Sequence, residues 1–333
     1  MANDDLIALL AACEAALQRR VPWWQVGRVA ARLGSATALL SEPWEPIDRW
    51  EHDVAVALAH HLDADAQSRW AEELVRWCEA DDRLRFLTIL DDEYPANLRV
   101  VFNPPPFLVL RGELQAEDTR GVAVVGTRHP SDEGLRRARK LGYELASAGI
   151  TVFSGLAQGI DAAAHAGALE AKGGRTFAVL GHGLLQPIYP KENRELAEEV
   201  AAAGALVSQF RPDTPPTKGT FPMRNVVTSG LSQGTIVVEA SRTRGARMQA
   251  RFAAEQGKRV WLLRSLVDEF DWARDFAARR AREVRVVEST EQVLEQIQDE
   301  RAIAAAAAAG LPPVAAAEEE RRGELAEPQF ALF

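Results

Sequence analysis

The fold is decided by the segment of residues 149–170, GITVFSGLAQGIDAAAHAGALE. Its first residues are apolar and partly β-branched, as is typical of a buried strand. A glycine turn at Ser154–Gly159 follows, and the alanine-rich residues behind it favour a helix. This order of strand, glycine turn and helix is repeated along the chain, which predicts βαβ units.

The repetition covers the middle of the chain, residues 113–299. Short apolar runs alternate there with helical stretches; the runs are GVAVVG (121–126), GITVFSG (149–155), RTFAVLG (175–181), GALVSQF (204–210), GTIVVEA (234–240) and KRVWLLR (258–264). Near-continuous apolar strands separated by helices indicate a parallel sheet that is buried on both faces. We therefore predict an α/β fold, an extended Rossmann-like parallel sheet with helices on both faces. A further strand is expected at Val284–Val287, with a closing helix at 290–299.

The segments on either side differ from this pattern. Residues 1–86 show helical periodicity and predict a small helical domain, whose tryptophans we expect in its core. Residues 87–112 form a connector in which Pro104–Pro106 favour extended chain. Residues 300–328 are rich in alanine and glutamate without an apolar face, so we expect a disordered linker. The final residues 329–333, QFALF, are apolar again.

Charge is distributed unevenly over a chain with a net charge of −9. Residues 1–120 carry −9, residues 121–265 carry +7, and residues 266–333 carry −7. The basic centre is the expected surface for a phosphate-bearing partner, although a solvated basic face is the alternative.

Several classes of protein are disfavoured. Two cysteines are too few for a disulfide scaffold, and the histidines show no spacing typical of a metal site. No apolar run reaches the roughly 18 residues of a membrane span, so we expect no membrane partner and a cytoplasmic location. We expect neither a metal nor a cofactor.

Glycine turns at the strand ends are the first candidate for a site. Gly126 follows the first strand, and Gly155 and Gly159 follow the second. Because glycine allows close approach and helix N-termini attract anions, a phosphate site fits these turns. The turns match neither the dinucleotide nor the P-loop motif. Asp161 and His165, four residues apart on one helix face, are expected to brace the loop, and no catalytic set assembles.

A second candidate is the basic run that follows residue 217. It offers cations, an aromatic ring and an amide within eight residues, through Lys218, Phe221, Arg224 and Asn225. Cations hold phosphates and rings stack on bases, so this set predicts binding of a single-stranded nucleic acid. Phe221 as a core residue and Asn225 as a helix cap remain the alternatives. Further basic contacts are predicted at Arg242, Arg244 and Arg247.

Taken together, these stretches resemble the DNA-processing protein A family (DprA, also called Smf). The matching stretches, in the order of the family, are DDEYPANLRVVFNPPPFLVLRGEL (91–114), VAVVGTRHPS (122–131), FSGLAQGIDAAAHAGAL (153–169), FAVLGHGLLQPIYPKEN (177–193), FPMRN with SGLS (221–232) and IVVEASRTRGARMQA (236–250). The resemblance implies a protein without enzymatic turnover that binds and protects single-stranded DNA, forms a homodimer and loads the recombinase RecA during transformation or recombination. It places the DNA pocket at Arg128, Lys218, Phe221, Arg224 and Asn225, with Gly126, Gly155 and Gly159 as its floor.

The C-terminal pentapeptide is similar to the motif with which bacterial replication and repair proteins bind the sliding clamp. Gln329 would fix its orientation, while Leu332 and Phe333 would enter an apolar pocket. The alternative is an apolar tail that packs on its own domain.

Two other functions stay open at this point. Glu239 follows Gly234 and Thr235 in GTIVVE, as in the related nucleotide-monophosphate phosphoribohydrolases, which suggests an enzyme as the alternative. A nucleotide sensor in a defence or stress pathway is the other alternative.

Overall fold

The computed structural model describes residues 2–41, 43–240 and 244–297, and for residues 2, 3 and 244 only the backbone. The predicted linker at 300–328 and the pentapeptide at 329–333 therefore lie outside the described residues. The chain divides into two units. Among the described residues, the first takes in the chain up to Tyr94 together with Phe102–Val109, and the second takes in Pro95–Val101 and the chain from Leu110 to Ile297. The connector predicted at 87–112 is thus divided between the two units.

The first unit is mainly helical. Its elements are α1 Ala2–Gln18, α2 Trp23–Leu33, α3 Ala36–Ser41, α4 Arg49–His61, α5 Ala66–Ala80 and β1 Leu84–Thr88, and β2 Phe107–Gly112 begins in it. Helix α1 forms the centre, since Leu9, Ala12 and Ala16 are fully buried among the other helices. Gly34 ends α2 in the left-handed conformation, with φ of 73°. The sequence pattern does not predict β1, because its few apolar residues directly follow a helical stretch.

The second unit contains the predicted sheet. Its elements are α6 Ala96–Arg99, β3 Val122–Val125, α7 Asp132–Ser147, β4 Val152–Ser154, α8 Ile160–Glu170, β5 Thr176–Val179, α9 Arg194–Ala203, β6 Ala205–Ser208, α10 Thr220–Leu231, β7 Gly234–Val237, α11 Arg244–Glu255, β8 Arg259–Leu263, α12 Arg264–Glu269, α13 Asp271–Arg279, β9 Val284–Val287 and α14 Thr290–Leu294. The strands lie in the order β6-β5-β4-β3-β7-β8-β9, and neighbouring strands are parallel. The predicted α/β class is confirmed.

Helices cover both faces of this sheet. Val124 and Ile236 face one side, where they pack with residues of α7, α8 and α14. Val125 and Val237, which are their neighbours in sequence, face the other side with residues of α11, α12 and α13. Because successive strand residues point to opposite faces, strands that are apolar throughout require this arrangement.

Helix α10 is an element that the sequence pattern does not predict. Ser229, Gly230 and Leu231 form its last turn. A Cβ on Gly230 would overlap the side chain of Leu98, so this glycine serves close packing inside a helix. Asn225 lies within the helix and does not cap it. The closing helix also ends earlier than predicted, at Leu294.

None of the helices within the described ranges is long and apolar enough to cross a membrane.

The strand order changes direction at β3, which positions a site. The chain progresses from β3 through β4 and β5 to β6 on one side and then continues with β7 on the other side of β3. In such sheets the ligand crevice lies at the carboxyl ends of the strands where the order reverses. The turns that follow β3 and β4 meet at this crevice.

Candidate functional site

A small cavity lies at this crevice. Its volume is about 30 Å³, and it is lined by Arg128, Gly155, Ala157, Gln158, Tyr189, Pro190, Phe221 and Arg224. These residues come from the turn after β3, the turn after β4, the segment after β5 and the start of α10. Four of the predicted site residues are thus brought together, although they are distributed over almost 100 positions of the sequence.

Arg224 is buried behind the turn after β4. Its Nη1 donates a hydrogen bond of 2.9 Å to the carbonyl of Val179, at the end of β5. A Cβ on Gly155 would overlap the guanidinium, so only glycine leaves room for it. Burial lowers the pKa of Arg224, and the negative charge of Asp161 acts in the opposite direction. The arginine is therefore a fixed part of the cavity wall with its own counter-charge.

Asp161 is the counter-charge and also joins the turns. Its carboxylate accepts hydrogen bonds from the backbone N–H groups of Gly126, Gly155 and Ala157. Burial raises the pKa of Asp161, while Arg224 and these N–H groups lower it. The expected bracing of the glycine loop is confirmed for this residue.

His165 does not take part in that bracing. Its Nδ1 lies 2.6 Å from Oγ1 of Thr176 on the neighbouring strand β5. Burial, reinforced by the charge of Arg224, lowers the pKa of His165 to about 3. The side chain is therefore neutral, and the expectation that it braces the loop together with Asp161 is wrong.

Gly159 brings the two turns into contact. Its φ is +81°, a conformation that side chains rarely adopt. A Cβ there would lie 2.6 Å from the carbonyl oxygen of Thr127 and 2.9 Å from the carbonyl carbon of Arg128. A side chain on Gly126 would in turn overlap Ile160, the first residue of α8. These glycines hold the backbone of Arg128 beside the cavity.

The rim of the cavity carries an unpaired cation next to aromatic rings. The Cζ atom of Arg128 lies 5.5 Å from the ring centroid of Phe221, and the rings of Phe221 and Tyr189 are 6.1 Å apart. Arg128 is exposed and makes no hydrogen bond or ion pair with any described residue. Tyr189 is 51% exposed. An available guanidinium beside accessible rings suits a phosphate with an adjoining base.

The remaining predicted residues lie away from the cavity lining. Lys218 is exposed in the segment before α10. Asn225 faces α11, where the side-chain amide group of Gln249 lies 3.2 Å from both its Oδ1 and its carbonyl oxygen. On the same helix α11, the guanidinium of Arg247 lies 5.2 Å from the ring centroid of Trp272. Arg242, the side chain of Arg244, and Gln329, Leu332 and Phe333 lie outside the described residues.

The sequence reasoning missed half of the lining, namely Ala157, Gln158, Tyr189 and Pro190. Ala157 and Gln158 lie inside the glycine turn whose ends were recognised. Tyr189 and Pro190 belong to the segment after β5, which the side-chain amide of Asn193 ties to the carbonyl of Leu156 at 2.8 Å. The signal was available, because every loop that follows a parallel strand at the crevice is a candidate.

Glu239, the residue on which the enzyme alternative depends, is engaged elsewhere. Its carboxylate accepts hydrogen bonds from the backbone N–H and the hydroxyl of Ser131, which caps α7. It is not among the residues that line the cavity. Within the described ranges, no group of three or more His, Cys, Asp or Glu residues is placed to hold a metal ion.

Comparison with known proteins gives a consistent set of relatives. A profile of the family described as DNA recombination-mediator protein A matches residues 85–298. Protein Smf of Synechocystis is 43% identical over 183 residues, which is 54% of this chain and 46% of that protein. The chain spans about half the length of curated relatives such as this one.

Solved structures agree with this assignment. DNA processing protein A from Streptococcus pneumoniae superposes with a TM-score of 0.68 at 26% identity, covering 90% of this chain and 99% of that one. DNA processing protein A from Helicobacter pylori, solved in a study of its single-stranded DNA binding mode, gives a TM-score of 0.56 at 25% identity, covering 66% of this chain and 99% of that one.

Proposed function

The chain belongs to the family described as DNA recombination-mediator protein A, and on that premise we propose that it binds single-stranded DNA at the cavity between Arg128 and Phe221. The observation that carries the proposal is the unpaired guanidinium of Arg128 beside two accessible rings. A phosphate would bind to Arg128, and the adjoining base would lie against Phe221 and Tyr189. The single-stranded DNA binding mode reported for the Helicobacter pylori relative supports this.

A titration with a labelled single-stranded oligonucleotide at several salt concentrations tests the proposal. Removing one phosphate contact by Arg128→Ala should weaken binding and lower the salt slope by about one unit. Removing a stacking ring by Phe221→Ala should weaken binding about 5- to 150-fold and leave the slope unchanged. Arg279→Ala is the matched control, since this exposed arginine on α13 lies outside the cavity lining. If both site variants bind like the wild type, the site is wrong.

We further propose that the bound protein protects the strand and loads RecA onto it, as a homodimer without turnover chemistry. Recombinase assembly on the oligonucleotide, followed with and without the protein, tests loading. Sedimentation at rising protein concentration tests the dimer. The cytoplasmic location expected from the sequence stays a prediction.

The clamp tether is a separate part of the proposal. Purified sliding clamp should bind the full chain and fail to bind a chain that lacks residues 329–333. Clamp binding that survives this deletion would remove the tether and leave DNA binding untouched.

The enzyme alternative predicts release of a free base from nucleoside monophosphates, abolished by Glu239→Gln. The sensor alternative predicts binding of small nucleotides without binding of oligonucleotides. Both outcomes are measurable with the same purified protein.

A further inference from the structure

Gln158 presents an unused amide to the cavity. The side chain is exposed, lines the cavity, and makes no hydrogen bond with any residue that the structure describes. Two other glutamines in this unit are engaged by contrast: Gln186 donates to the carbonyl of Asp213 at 2.7 Å, and Gln256 accepts from Ser229 at 2.5 Å. An amide without a partner beside aromatic rings and a free cation is available for a ligand.

The backbone beneath this amide is held on both sides. Ala157 donates its N–H to the carboxylate of Asp161, and Gly159 packs directly against the turn after β3. A side chain on a braced turn loses less conformational entropy on binding than one on a loose loop. Gln158 is thus an exposed side chain on a braced turn, placed where it can contact a ligand in the cavity.

The size of the cavity limits what can meet this amide. The cavity is small, with about 30 Å³ open to small groups, so we expect a base to lie at its rim. A base that lies on the rim against Tyr189 and Phe221 can direct only its edge inward. The group that reaches Gln158 is then a donor or acceptor on that edge.

We propose that Gln158 hydrogen-bonds to the edge of an unstacked base, so that binding requires a base and tolerates each of the four. A carboxamide offers one acceptor and two donors, and the Watson–Crick edge of each base presents a donor next to an acceptor. Rotating the amide by half a turn exchanges its oxygen and nitrogen, which lets one side chain serve all bases. The inference rests on the proposed function and adds to it the chemical group that is recognised.

The test compares an oligothymidylate with an oligomer of equal length built from abasic tetrahydrofuran units. Gln158→Leu keeps the approximate size of the side chain and removes its hydrogen bonds. We expect this variant to bind the oligothymidylate about 2- to 12-fold more weakly than the wild type, with unchanged binding of the abasic oligomer and an unchanged salt slope. Gln67→Leu, at an exposed glutamine of α5, is the matched control.

The outcomes separate this inference from the proposed function. If the wild type does not bind the oligothymidylate, the proposed function fails. If it binds and Gln158→Leu binds equally well, only the role of Gln158 fails. Equal losses for the abasic oligomer would identify a phosphate contact and overturn the inference. The loss should also be similar with oligomers of adenine and cytosine, and a tenfold difference between bases would contradict the tolerance.

Discussion

A single added methyl group at Gly155 should dislodge Arg224. A Cβ at this position overlaps the guanidinium, so the arginine must leave its place. It then loses its hydrogen bond to Val179 and separates from Asp161, whose carboxylate stays buried. A lost hydrogen bond from a charged group costs about 1.5–3 kcal/mol, and the weaker attraction to the buried carboxylate of Asp161 adds to that cost.

Because these terms overlap, we expect Gly155→Ala to lower the free energy of unfolding by about 3 kcal/mol. For a domain of about 150–250 residues this lowers the melting temperature by about 6–12 °C. Thermal and urea unfolding measure the loss. Gly245→Ala is the control, because a Cβ at this helical glycine meets no atom within 4 Å. It should leave stability unchanged or raise it slightly.

A double-mutant cycle tests the cause. In the background of Arg224→Ala the guanidinium is absent, so Gly155→Ala should cost less than about 1 kcal/mol. If the two substitutions cost the same together as the sum of their separate effects, the overlap with Arg224 is not the reason for the glycine.

Three further predictions concern stability. Burial lowers the pKa of Lys258 from 10.5 to about 7, so between these pH values the unfolded chain binds more protons than the folded one. The free energy of unfolding should therefore rise with pH in this range, by at most about 1.4 kcal/mol per pH unit. Urea unfolding at pH 7, 8 and 9 should show that Lys258→Met loses this slope. Ser131→Ala removes the cap that accepts from Gly134 and should cost about 1 kcal/mol in thermal unfolding, whereas Ser131→Thr should restore most of it. Asp118→Asn breaks the ion pair between the buried Asp118 and the partly buried Arg175, which are bonded at 2.8 and 2.9 Å, and should cost about 1.5–3 kcal/mol in urea. A cost below about 0.5 kcal/mol would contradict this.

The sheet was predictable because its strands have a clear signal in the local sequence. Apolar β-branched runs of four or five residues stand between helical stretches, and β9 spans the predicted Val284–Val287. The sequence pattern did not predict strand β1 or helix α10. Strand β1 adjoins a helix, and α10 contains Gly230, a residue type that disfavours helices. That glycine is explained by the packing of Leu98, which is more than 100 positions away.

The site was predictable only in part. Arg128 and Phe221 follow from the glycine turn and the basic run, and both line the cavity. Arg224 was counted as one of several available cations, because a sum of charges along the chain cannot show that Asp161 neutralises it inside the fold. Tyr189 was not predicted as a site residue, because tertiary packing sets the path of the segment after β5.

The position of Arg224 also constrains the order of assembly during folding. It bonds to Val179 from 45 positions further along the chain, across α9, β6 and the segment before α10. Until α10 packs onto the sheet, the turns after β3 and β4 surround the carboxylate of Asp161 without the guanidinium of Arg224. The side of the cavity behind Gly155 is then missing. Contacts between residues that are far apart in the chain form late when local elements form first. In a refolding experiment, binding competence should accordingly appear after the bulk of the secondary structure, and a nascent chain that ends before residue 220 should hold the turns but no finished cavity.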